Sequence, residues 1–194
     1  MKHRLTRITT RTGDSGESGL ADGTRHAKTD VVFAAMGDID ELNCGIGVVV
    51  ARLCDGPIRS QLQRIQSALF DLGATLAVPG TPATMLAEIA ELEASITSHN
   101  STLGPLQNFV LPGGCAAAAD LHLARAICRR AERTYWHHVQ ETHEASPAQA
   151  RATDRSGAIY LNRLSDCLFV LARTINAQEE HAEAIWTPRS QRSE

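Results

Sequence analysis

The chain has 194 residues, 43% of them apolar and 21% charged, which fits one soluble domain with a real core. A formal net charge of −3 excludes a broad nucleic-acid surface and leaves anion binding to local clusters. No run reaches the roughly 18 consecutive apolar residues of a membrane span.

Five cysteines stand apart without a C-x-x-C pair, so neither a disulfide framework nor a zinc site is expected. They read as small buried hydrophobes of a reducing cytoplasm. The basic start, Met1 to Arg7, lacks the apolar core of a signal peptide, and the expected location is cytoplasmic. Aromatic residues make up only 4% and alanine is abundant, which favours closely packed helices over a β-sandwich.

Residues 1–30 show no helical period. Thr9-Thr10-Arg11-Thr12-Gly13-Asp14-Ser15-Gly16-Glu17-Ser18-Gly19 is a turn-rich run in which no strand is evident. The next stripe, Met36, Ile39, Leu42, Ile46, Val49 and Leu53, has the three- and four-residue spacing of an amphipathic helix that stops at Gly56-Pro57. Ile58, Leu62, Ile65, Leu69, Leu72 and Leu76 form a second helix, closed by Pro79-Gly80. Thr81 before Pro82 predicts an N-cap for a shorter third helix carrying Met85, Ile89, Leu92 and Ile96.

Phe109-Val110-Leu111-Pro112-Gly113-Gly114 is a turn that launches a long fourth helix with the line Ala117, Leu121, Ala124, Cys128, Ala131, Tyr135 and Val139. Ser146-Pro147-Ala148-Gln149 has the pattern of a capping box for a fifth helix, which carries Ala158, Leu161, Leu164, Leu168, Leu171 and Ile175. The expectation is therefore an all-α single domain over 1–194. A Gly-rich segment occupies 1–30, a five-helix bundle 31–181 and a frayed tail 182–194.

The fourth helix carries the densest chemistry. Arg125, Arg129, Glu132 and Arg133 share an arc of about 100° beside the apolar stripe. With Arg130, four arginines fall within nine residues. An exposed basic face is the usual origin of such a run, but this one borders the buried side, where it should meet another helix or a ligand. Guanidinium forks suit phosphate oxygens. Asp38, Asp40 and Glu41 on the first helix, and Asn162, Arg163 and Asp166 on the fifth, are candidates for cross-helix pairs with these arginines. Glu-x-x-His pairs of a di-iron bundle are missing, as is a Walker loop. The eight histidines read as surface residues.

Three blocks together resemble the PduO-type ATP:cob(I)alamin adenosyltransferases. The first is Thr10-Arg11-Thr12-Gly13-Asp14, followed by Gly16, Gly23, Arg25 and Lys28, then Gly37-Asp38-Ile39-Asp40-Glu41-Leu42-Asn43. The second runs from Phe109-Val110-Leu111-Pro112-Gly113-Gly114 into Ala124-Arg125-Ala126-Ile127-Cys128-Arg129-Arg130-Ala131-Glu132-Arg133. The third is Tyr160-Leu161-Asn162-Arg163-Leu164-Ser165-Asp166, continuing to Arg173.

The resemblance implies a ferritin-like five-helix bundle that assembles as a homotrimer, with active sites between subunits. It implies transfer of the 5′-deoxyadenosyl group of ATP to cob(I)alamin, with Mg²⁺ accompanying ATP. A weakened cobalamin carrier is the alternative. Thr10, Arg11, Thr12, Gly13, Ser18, Gly19 and Lys28 would surround the nucleotide. Arg129, Arg130, Glu132, Arg133 and Asn162 would complete its site, supported by Arg163 and Asp166. Arg125 would pair with Asp40 across the subunit boundary, and Phe109 would press on the lower face of the corrin. Implied partners are a flavoprotein reductase and an adenosylcobalamin-dependent acceptor, without nucleic acid or membrane. Ser15 stands where the family usually has lysine, and Glu17 adds a negative charge nearby.

Overall fold

The computed structural model describes residues 9–78, 84–106, 108–145 and 155–191. Among these residues five α-helices dominate: α1 Val31–Arg52, α2 Pro57–Ala77, α3 Leu86–Asn100, α4 Ala116–Ala145 and α5 Ser156–Gln178. Helix α1 packs between α2 and α4; α4 packs in turn on α5, and α5 on α3. The apolar stripes decide this order. On α4, Ala117, Leu121, Ala124, Cys128, Ala131, Tyr135 and Val139 are all buried, and they meet the equally buried Leu161, Leu164, Leu168 and Leu171 of α5.

Small residues set the spacing. A Cβ on Gly157 would lie 2.5 Å from the Tyr135 ring, so α4 and α5 approach as closely as they do only because that position has no side chain. Removing one buried leucine from such a core typically costs about 2–5 kcal/mol.

Several expectations change against the fold. The N-terminal segment contains an antiparallel hairpin, β1 Glu17–Gly19 and β2 Arg25–Ala27, with Ser18 opposite His26. A three-residue strand is too short to carry an alternation signal. The hairpin is docked: Leu20 is buried in the core, and the Ala21 amide donates to the Ala77 carbonyl at 2.8 Å. Gly56-Pro57 opens α2 instead of merely closing α1, with proline in the first turn.

Within the described residues α3 begins at Leu86 and α5 at Ser156; the Thr81 cap and the Ser146 capping box lie outside them. Cys128 and Cys167 are buried as expected, but Cys44 and Cys54 are exposed. His122 is not a surface residue, being only 3% exposed.

The segment from 182 to 191, expected as a frayed tail, is strapped to the turn before α4. The Leu111 amide donates to the Ala184 carbonyl, and the Trp186 amide to the Phe109 carbonyl, each at 2.8 Å. Arg173, buried on α5, holds the strap. Its Nε donates to both Glu183 carboxylate oxygens at 3.1 Å, and its Nη2 to the Gly104 carbonyl at 3.1 Å. No helix among the described residues is long and apolar enough to cross a membrane.

Candidate active site

The Gly-rich segment owes its path to left-handed residues. Gly16 has φ 85°, Gly23 has φ 88° and Arg11 has φ 60°, conformations that glycine adopts without penalty. Lys28 closes the loop: its amide donates to the Gly16 carbonyl at 2.8 Å. A Cβ on Gly13 would lie 2.9 Å from the Lys28 ammonium, so the charge rests against bare backbone. Thr10 and Thr12 join their hydroxyls at 3.0 Å, while Ser18 and Gly19 lie in β1.

Arg25 ties the structure together. One guanidinium nitrogen donates to the Thr12 carbonyl at 2.8 Å, and Nε reaches the Glu17 carboxylate at 3.4 Å. The negative charge that departs from the family pattern therefore has a cation beside it.

On α4 the arginines divide. Arg130 pairs with Asp38 at 3.0 Å and with Glu41, both on α1, and the Thr134 hydroxyl donates to the same Asp38 at 2.6 Å. Arg130 thus acts as a helix clamp. Among the described residues Arg133 donates to the Arg129 carbonyl, at 2.9 Å. Arg129 is exposed and, among the described residues, its guanidinium makes no hydrogen bond or ion pair. Asn162 donates to Glu132 at 3.2 Å. Arg163 pairs with Glu93 at 2.9 Å and lies 3.7 Å from Asp166, joining α5 to α3.

No hydrogen bond or ion pair among the described residues links the Gly-rich hairpin to α4, nor Arg125 to Asp40.

One turn before Arg129, Arg125 lines a cavity of about 500 Å³ together with Leu106, Asn108, Phe109, Pro112, His122 and Phe169. Phe109 is 77% exposed at its edge and meets Trp186 edge-on at 6.1 Å. Leu106, which shares the cavity, and Trp186, which meets the ring, are exposed too, and grouped exposed apolar side chains mark an interaction site. The turn is fixed from behind. Gly114 has φ 107°, the Cys115 amide donates to buried Asn176 at 3.0 Å, and Asn176 donates to the Gly113 carbonyl at 3.3 Å.

Burial raises the Cys128 thiol far above its ordinary range and pushes Cys167 up to about 11. Neither is a thiolate nucleophile near neutrality.

Sequence reasoning missed Asn176, Arg173, Glu183, Trp186 and His122. A polar residue inside the apolar run of α5 was the available signal for Asn176 and Arg173. Glu183, Trp186 and His122 gained their roles from distant partners.

Helix α4 thus carries, beside an aromatic-edged cavity, the arginines Arg129 and Arg133, which make no ion pair among the described residues. The sequence profile described as cobalamin adenosyltransferase matches residues 8–175, and the chain belongs to that family.

A cobalamin adenosyltransferase of Cupriavidus metallidurans is 40% identical over 188 residues, covering 96% of this chain and 97% of that protein. The corrinoid adenosyltransferase of Mycobacterium leprae is 42% identical over 199 residues, covering 97% and 99%. A solved variant of the PduO-type ATP:corrinoid adenosyltransferase of Lactobacillus reuteri, complexed with cobalamin and ATP, superposes with a TM-score of 0.82. It is 30% identical and covers 93% of this chain and 96% of that one.

Proposed function

We propose that this chain transfers the 5′-deoxyadenosyl group of ATP to cob(I)alamin, releasing triphosphate and forming adenosylcobalamin. The observation that carries this reading is the order of groups on α4. Arg125 lies at an aromatic-edged cavity, and Arg129, without an ion pair among the described residues, follows one turn later, about 6 Å along the axis. One rigid helix thereby addresses a flat macrocycle and a polyphosphate from adjacent turns.

In that reaction the electron pair of cob(I)alamin forms the Co–C bond at C5′, and the C5′–O bond breaks with its electrons going to triphosphate. No protein nucleophile takes part. Catalysis comes from holding the reactants in line and from cations at the leaving group. Arg129 and Lys28 supply that charge, with Arg133 beside them. Thr10, Arg11, Thr12, Gly13, Ser18 and Gly19 wrap the nucleotide. Arg130, Glu132, Asn162, Arg163 and Asp166 hold the helices that present it.

Among the described residues, no group of three or more His, Cys, Asp or Glu can hold a metal. Mg²⁺ would accompany the phosphates, held by their oxygens and water. Sites shared between neighbouring subunits of a homotrimer, with Asp40 of one facing Arg125 of the next, would bring the hairpin to α4, between which no hydrogen bond or ion pair exists among the described residues. Phe109 covers the lower face of the corrin and keeps water from it. A flavoprotein reductase supplies cob(II)alamin's electron, and an adenosylcobalamin-dependent enzyme takes the product in the cytoplasm.

The test is an anaerobic assay with chemically reduced cob(I)alamin and MgATP, followed by visible spectra. Enzyme-dependent growth of a light-sensitive adenosylcobalamin spectrum with stoichiometric triphosphate supports the reading. Corrinoid binding without product would leave a carrier.

A further inference from the structure

His122 is the buried polar side chain that the mechanism above does not use. It sits on α4 at 3% exposure, and both ring nitrogens are buried without a hydrogen-bond partner. The ring is 5.9 Å from Phe169, and both line the cavity edged by Phe109. Arg125, one turn on, lines the same cavity, and its Nε is likewise buried and unpartnered. Unpartnered imidazole nitrogens and a guanidinium Nε beside one cavity are costly unless a ligand completes them; the Arg125 Nη groups are left for Asp40 of the neighbouring subunit.

We propose that His122 and Arg125 read a peripheral carboxamide of the corrin, the amide N–H donating to the unprotonated imidazole nitrogen and its carbonyl accepting from Arg125 Nε. This rests on the cavity being the corrin site. The chemistry of the two groups selects the ligand: a neutral imidazole nitrogen needs a donor, and the guanidinium needs an acceptor. A carboxamide is both, an ester only accepts, and a hydrocarbon does neither.

His122 is held neutral near pH 7. Burial disfavours its charged form, Arg125 adds repulsion, and Glu183 opposes both from the C-terminal strap. Glu183 is itself bound to Arg173 of α5, and the turn residues that line the cavity among those described, Leu106, Asn108, Phe109, Val110 and Pro112, carry no charge. The imidazole protonates only below its ordinary value of 6.5. It then loses its acceptor, and corrin affinity should fall on the acid side.

The experiment is spectral titration of the ATP-bound protein with cob(II)alamin, which needs no turnover. His122→Leu should weaken corrinoid binding roughly tenfold while leaving ATP affinity unchanged. His122→Asn, which keeps a donor and an acceptor but cannot titrate, should bind within about threefold of the parent and lose the acid limb. Should the Leu variant not fold, the Asn pH profile carries the test.

On the substrate side, replacing single peripheral carboxamides by methyl esters should reveal one position that weakens wild-type binding and has no further effect in His122→Leu. Unchanged corrinoid affinity in a folded His122→Leu protein overturns the inference. So does an ester effect that persists undiminished in that variant, or an acid limb that survives in His122→Asn. His122-dependent binding without adenosyl transfer would instead sink the proposed reaction and leave this site standing.

Discussion

Arg129 and Arg130 are adjacent in sequence and opposite in circumstance. Arg130 is spent on Asp38 and Glu41 of α1, whereas Arg129 reaches solvent without an ion pair among the described residues. Arg129→Ala should lower kcat/KM at least a hundredfold with little change in thermal stability, as expected for a charge that acts on a leaving group. Arg130→Ala should show the reverse emphasis, a fall in Tm, because it leaves the partly buried Asp38 without its cation. Steady-state kinetics beside calorimetry on the two variants separates the roles; equal effects on both would contradict the division.

Phe109 belongs to the same scale. Phe109→Ala should impair formation of cob(I)alamin from bound cob(II)alamin more than ATP binding, read by reductive titration and nucleotide titration in parallel. Equal losses would argue that the ring serves only to shape the site.

At the scale of elements, the turn before α4 is braced twice: by Asn176 from α5 and by the strap that Arg173 fixes through Glu183 and Gly104. Arg173→Met should release the strap and cost on the order of 1–3 kcal/mol, the usual consequence of leaving a hydrogen-bonded acidic partner unmatched. Trp186 fluorescence should become more mobile while the helical content stays constant. A rigid Trp186 signal in that variant would mean that the two backbone hydrogen bonds suffice.

Gly114→Ala is a sharper test of the other brace. The new methyl group would lie 2.1 Å from the Asn176 carboxamide at a φ of 107°, so the turn and the cavity behind Phe109 should distort. Reduced corrinoid affinity is the expected result.

For the molecule as a whole, two histidines set an acid limit. His122 and His138 both have lowered pKa values, chiefly through burial. Their folded forms stay neutral at a pH where the unfolded chain, titrating near 6.5, already takes up protons. Stability is therefore full above that value and declines as pH falls below it. Urea unfolding between pH 7.5 and 5.5 should show this slope, and replacing both residues with asparagine should flatten it. The subunit arrangement is tested at the same scale. Analytical ultracentrifugation should find a trimer, and Asp40→Ala should weaken it or its activity.

Much of this molecule was legible because helical periodicity is local. The stripe from Ala117 to Val139 needs no knowledge of its partner to reveal which face is buried, and all of it is. The family motif was equally visible, since its glycines, arginines and carboxylates stand at fixed separations along one chain. The hairpin at Glu17–Gly19 was not visible, because three residues per strand carry no alternation and the pairing is made by backbone groups.

What the tertiary structure alone decided is which like residues differ. Of the clustered arginines, Arg130 is clamped, Arg129 has no ion pair among the described residues and Arg125 has its Nε buried against a cavity. His122, Glu183 and Trp186 acquire meaning only when α4, α5 and the C-terminal strap converge. Sequence records the type and spacing of a side chain. Desolvation, pairing and exposure depend on atoms far along the chain, and they came into being only when the bundle closed.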